Sequence, residues 1–152
     1  MHKYNVSIVI VCMNNIRQLS DCLDSIKKHT KKVTYEVLLV AYFFNDDNLK
    51  KLKDNYPWVR IIVSNEIRGF SANNNLALKQ AQGEYCFVLN DDTYIKQPVV
   101  DQLYERAKTD ENITCLTPQI IKPSGEIQYN GMTPITWKDW ILILFKLKKD
   151  NA

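Results

Sequence analysis

The segment Tyr85–Tyr94 reads YCFVLNDDTY. An apolar run ends there abruptly in Asn90, Asp91 and Asp92. Two adjacent carboxylates at the end of a strand are costly unless something positive joins them. A hard divalent cation with oxygen ligands, Mg2+ or Mn2+, is the natural partner. Held there, it can bridge a diphosphate and neutralise charge on a departing phosphate. Asn and Asp are also common turn residues, so a solvated turn is the competing reading.

A second segment, Asn65–Asn75, reads NEIRGFSANNN. Gly69 precedes the start of a helical stretch, where exposed amides could meet an anion. Ser71 or Asn73 could cap that helix, and a simple capped helix accounts for the segment equally well. Neither GxGxxG nor a GxxxxGK[ST] loop occurs in the chain, so the usual dinucleotide and P-loop signatures are absent.

The elements that must hold these residues are legible from hydrophobic periodicity. Val6–Met13 is apolar on both alternating faces, as a strand covered on both sides should be. Asn14–His29 places Ile16, Leu19, Cys22, Leu23 and Ile26 at helical spacing. Tyr35–Phe44 reads as a second strand, Asp46–Asn55 as a polar helix stopped by Pro57, and Val59–Val63 as a third strand. Phe70–Gln82 has helical composition, with Gly83 where a C-terminal cap belongs. Glu84–Leu89 is a fourth strand, Val99–Thr109 a helix opening after Pro98, and Ile113–Ile121 a further extended segment. Lys122–Glu126 reads as a turn, and Ile127–Tyr129 as a short returning strand before an Asn130–Gly131 turn. Strands and helices alternate four times. The expected fold is therefore α/β, a mostly parallel open sheet flanked by helices on both faces. Ligands of such sheets bind beyond the carboxyl ends of the strands, near the switch point. That singles out Asn14, Ala41–Asp47, Asn65–Gly69 and Asn90–Thr93.

The 152 residues suit one domain, and a net charge of +3 is too weak to argue for a nucleic-acid partner. No apolar run approaches the roughly 18 residues of a membrane span. Val6–Met13 lacks the flanks of a signal peptide, and Cys12, Cys22, Cys86 and Cys115 form no CxxC pair. All four cysteines read as reduced core thiols of a cytoplasmic protein.

In order and spacing, VSIVIVCMNN, EVLLV and VRIIVSNEIRGFSANNNLALKQAQGEYCFVLNDDT together resemble the family-two glycosyltransferases of GT-A fold. The resemblance runs from about Val6 to about Gly131, and LNDDT looks like the LNxDT ending of rhamnosyltransferase-like members. It implies inverting transfer from a nucleoside diphosphate sugar, assisted by Mn2+ or Mg2+, to a glycan or lipid-linked acceptor. It places Cys12 and Asn14 beside the base and ribose. It sets Gly69, Asn73 and Asn74 beneath the donor, Asn90 and Asp91 at the diphosphate, and Asp92 on the metal.

Two departures from the family pattern stand out. Ala41 occupies the place where the family has an Asp that reads the base; Asp46 and Asp47 follow only later, and Tyr42, Phe43 and Phe44 could stack or simply line the crevice. After Gly131 nothing resembles the half that builds the acceptor site and supplies the catalytic base; Glu126 and Asp139 are the carboxylates at hand. Residues 1–131 are thus expected to form the nucleotide-sugar-binding domain and 132–152 an amphipathic C-terminal segment. The alternative is a truncated or non-catalytic nucleotide-sugar-binding module acting in assembly. Within the segment, Trp137–Lys149 carries an apolar face and a terminal lysine cluster. Such a helix can pack on its own sheet, contact protein, or lie on anionic lipid as a peripheral anchor.

Overall fold

A computed structural model describes residues 2–128. The chain divides into two compact units, Met1–Leu116 and Thr117–Ala152. In the first, β1 (Tyr4–Met13), α1 (Ile16–His29), β2 (Tyr35–Tyr42), α2 (Asp46–Asn55), β3 (Val59–Ser64), α3 (Phe70–Leu78), β4 (Gly83–Asn90) and α4 (Val99–Ala107) follow in order. Among the described residues of the second, β5 (Ile120–Ile121) and β6 (Ile127–Gln128) pair antiparallel around Gly125, whose φ of +87° suits glycine. The readings made for Tyr129, Asn130–Gly131, Asp139 and Trp137–Lys149 lie outside the described residues.

The four strands form one parallel sheet in the order β3-β2-β1-β4. β1 is central because its β-branched residues are buried on both faces, from Val6 to Ile10. Leu19, Leu23 and Ile26 of α1, Leu52 of α2 and Val100 of α4 pack on one face, against Val6, Ile8, Ile10, Val37 and Leu39. Ala77 of α3 packs on the other, against Val9, Leu38 and Val40. Helices therefore cover both faces, as the alternation requires.

The helix starts are local chemistry. Asn15 caps α1 by accepting from the Gln18 N–H, and Asn45 caps α2 by accepting from Asn48 N–H at 2.8 Å. Lys27, Lys28 and His29 close α1, where its dipole favours cations. Three expectations are corrected. β2 ends at Tyr42 rather than Phe44, because Phe43 turns left-handed at φ +49°. α3 ends at Leu78, and Gly83 is not its cap but the first residue of β4. Cys86 and Cys115 are exposed, so only Cys12 and Cys22 are core thiols.

Candidate functional site

The chain runs β1-β2-β3 to one side and then returns to place β4 on the other side of β1. The switch point therefore falls between the ends of β1 and β4, where a crevice is expected. A cleft of about 500 Å3 opens there. Val11 and Met13 from β1, Asn15 and Gln18 from the start of α1, and Tyr42 from β2 line it. Arg68, Phe70 and Asn73 from the start of α3, and Asn90, Asp91 and Asp92 after β4, complete the lining.

Of the residues singled out in the sequence, the cleft brings together Asn73, Asn90, Asp91 and Asp92. Cys12, Asn14, Gly69 and Asn74 are not among its lining residues. Cys12 is fully buried, and burial, then a hydrogen bond with Asp91 and that residue's charge, pushes its thiol up. Cys22 is buried behind the same motif and donates weakly to the Asn90 carbonyl at 3.7 Å. Its thiol is pushed up to about 12 by burial first, then by the charges of Asp91 and Asp92. Both thiols therefore stay protonated at neutral pH. Asn14 adopts φ +53°, a conformation Asn tolerates. Its Oδ1 accepts from Asn45 N–H at 3.2 Å and from Asn48 Nδ2 at 3.1 Å, fastening the β1 end to the start of α2.

Neither Ser71 nor Asn73 caps α3; Gly69 is the cap residue, and no side-chain oxygen accepts from the first N–H groups of the helix. Asn73 is buried instead. It accepts from Ser64 Oγ at 3.2 Å and donates from Nδ2 to the carbonyls of Arg68 and Gly69. Asn74 donates to the Phe70 carbonyl at 3.0 Å. These amides hold the β3–α3 connection from inside. Tyr42 holds it from above: its hydroxyl donates to the Arg68 carbonyl and accepts from the Arg68 N–H, both at 3.2 Å.

Ala41 is fully buried in β2, opposite Cys12 in the register, and offers no polar atom. Asp46 and Asp47 are spent in the first turn of α2, where carboxylates suit the helix dipole. Phe44 enters the core, while Phe43 is exposed with its ring 4.6 Å from that of Tyr42. Arg68, inside the segment Asn65–Gly69 singled out in the sequence but not itself named as a site residue, is the sole cation among the lining residues. It pairs with Glu66, and its buried Nε has no partner. Its position just after β3 was the available signal.

The acidic end offers two carboxylates and the Asn90 amide, all oxygen donors. No group of three or more His, Cys, Asp or Glu that could cage a metal occurs among the described residues. A cation that keeps waters and takes oxygens from a bound diphosphate, as Mg2+ does, fits so sparse a set. No helix among the described residues is long and apolar enough to cross a membrane.

A family model described as glycosyl transferase family 2 matches residues 7–151. A cholesterol galactosyltransferase of Borreliella burgdorferi is 30% identical over 119 residues, covering 76% of this chain and 33% of its own length. The chain thus spans about a third of that curated relative. Among solved structures, TarS of S. aureus (residues 1–349) superposes with a TM-score of 0.59 at 21% identity, over 76% of this chain and 38% of its own. It is also solved in complex with UDP-GlcNAc. The mannosyltransferase PcManGT of Pyrobaculum calidifontis, in complex with GDP-Man and Mn2+, gives a TM-score of 0.55 at 20% identity, over 71% of this chain and 32% of its own.

Proposed function

Because the chain belongs to glycosyl transferase family 2, we propose that its cleft binds a nucleoside diphosphate sugar with Mn2+ or Mg2+ and serves transfer of the sugar, with inversion, to a hydroxyl of a glycan or lipid-linked acceptor. The carrying observation is the cleft at the β1–β4 switch point, which sets Asn90, Asp91 and Asp92 against the walls formed by Met13, Tyr42 and Arg68. The ligands named for TarS and PcManGT support the donor class. The name of the Borreliella relative supports a lipid acceptor.

In this reading Asp92 holds the cation, with Asp91 and Asn90 beside it at the diphosphate. The cation, when bound, supplies positive charge to the leaving phosphate. Residues 1–131 form the donor domain. Cys12 and Asn14 back the base and ribose, and Gly69, Asn73 and Asn74 shape the floor. The acceptor oxygen attacks the anomeric carbon as the bond to the phosphate oxygen breaks, and its proton passes to a base. Among the described residues no carboxylate lines the cleft besides Asp91 and Asp92. Glu126 lies in the second unit, exposed and paired with Lys122 at 3.0 Å. That observation favours a second reading, a module that binds the nucleotide sugar without transferring it.

Calorimetry tests the site. Asp92→Ala is expected to abolish Mn2+-dependent binding of the nucleotide, and unchanged affinity would remove Asp92 from the site. Incubation of the wild-type chain with donor and Mn2+ separates the two readings. Slow release of free sugar supports an enzyme, and bound but intact donor supports the module.

A further inference from the structure

The floor of the cleft changes character across the sheet. Period-two alternation sets Val9, Val11 and Met13 on one face of β1. Val9 packs with Ala77 of α3, so this is the face that α3 covers. Strand register carries the row sideways: Asn90 lies beside Val11, and Tyr42 beside Met13. Phe70 opens α3 on the same side of the sheet. Val11, Met13, Tyr42, Phe70 and Asn90 all line the cleft. One strand spacing, about 5 Å, therefore separates the polar Asn90–Asp92 end over β4 from bare hydrocarbon over β1.

Two large side chains of that hydrocarbon stand in water: Met13 is 66% exposed and Phe70 64% exposed. Large apolar groups left bare inside a concave site mark where the apolar surface of a ligand lands. A nucleoside diphosphate sugar has one extended apolar surface, the flat face of its base; the phosphates are charged, and the ribose and sugar carry hydroxyls. With the phosphates at the acidic end, the base falls over β1. The Tyr42 ring there already lies 4.6 Å from that of Phe43. The Phe70 ring has no aromatic partner among the described residues. Resting on the donor-binding reading above, we propose that Phe70 stacks on the face of the nucleobase, with Met13 as a second apolar contact, and so sets how tightly the base end of the donor is held. Stacking uses a π face that every base has, and its strength does not depend on a polar group at Ala41.

The test is calorimetry of the whole chain with UDP and with GDP in the presence of Mn2+. These probes carry no donor sugar, so a loss of affinity locates the contact on the nucleotide itself. Whichever binds the wild type is expected to bind Phe70→Ala about tenfold more weakly. Phe70→Leu, which keeps the bulk but not the π face, should lose nearly as much, and Phe70→Trp should hold wild-type affinity. The new indole of Phe70→Trp should also be quenched by the bound nucleotide beyond any change in the wild type. Phe70 is exposed, so the variants should fold, which circular dichroism checks. Wild-type affinity in Phe70→Ala overturns the inference and leaves the donor site standing. Wild-type affinity in Phe70→Leu, or an unquenched indole in Phe70→Trp, overturns the stacking. Binding of neither nucleotide to the wild type overturns both this inference and the donor reading.

Discussion

The four thiols separate by environment more sharply than their sequence contexts indicate. Cys12 and Cys22 are buried and their thiols raised, whereas Cys86 and Cys115 are exposed. Since the thiolate is the reactive form, a thiol-exchange reagent at pH 8 should titrate Cys86 and Cys115 in the native protein and the other two only on unfolding. The Cys86 thiol is itself raised, by partial burial first and then by the charge of Glu36. Rapid reaction of all four would refute the assignment. The same burial has a pH signature. A group held above its unfolded value stabilises the fold fully below that value and loses the contribution as pH rises through the folded one. For Cys22 that window runs from 9.0 to about 12. Stability from denaturant titration should fall across it, with a shallower slope in Cys22→Ala. An equal slope would assign the alkaline loss to other groups. Cys22 was legible as a core residue from the helical spacing of α1. Cys86 was not. It lies on the outward-alternating face of β4, and which strand ends up at a sheet edge is decided by topology rather than by the strand's own sequence.

At the scale of elements, helix starts were legible and one helix end was not. Helical spacing announced α1 and α2, whose caps Asn15 and Asn45 the structure supplies, and Pro98 marked the opening of α4, where no side chain makes a cap bond. Gly83 had the same look of local punctuation at the end of α3. Its true constraint is long-range: a Cβ there would lie 2.4 Å from the Ser7 N and 2.7 Å from the Val6 carbonyl carbon. β4 can approach β1 only because that atom is missing, and the Gly83 N–H donates to Ser7 Oγ at 2.8 Å. Gly83→Ala should therefore cost about 1–3 kcal/mol or more, measured by urea unfolding, because backbone atoms must yield. A change within about 0.5 kcal/mol would show that the strands can part freely. Asp101 teaches the same lesson. In sequence it is an acid in the first turn of α4, a favourable surface position. In the fold it is buried and accepts the backbone N–H groups of Lys31, Lys32 and Val33 at 3.0–3.1 Å, tying α4 to the α1–β2 connection. Asp101→Ala leaves those donors without their acceptor and should cost at least about 3 kcal/mol. Asp101→Asn, which keeps one oxygen, should cost less. Equal losses in the two variants would point to the charge rather than the hydrogen bonds.

Across the whole molecule, the alternation of strands and helices was enough to imply a parallel sheet, because parallel neighbours need crossovers. The position of β4 beside β1, and hence the switch point, was not legible in periodicity; the resemblance implied it by aligning Asn90–Asp92 with a metal-binding motif. The same topology sets a gradient of local stability that hydrogen exchange can read. β1 is paired on both sides and buried on both faces, while β4 has only β1 as a partner and alternates between buried and exposed residues. β5 and β6 are two residues each and wholly exposed. Protection should fall in the order β1 and β2, then β4, then the β5–β6 pair. Addition of Mn2+ and a bound nucleotide should slow exchange at the strand ends that frame the cleft, Met13–Gln18, Arg68–Asn73 and Asn90–Thr93, and leave the already slow centre of β1 unchanged. A ligand-induced change confined to β5–β6 or to the outer surface of α4 would mean that the nucleotide binds elsewhere. The fold would then keep its switch-point crevice, but the acidic pair at its edge would have no part in binding.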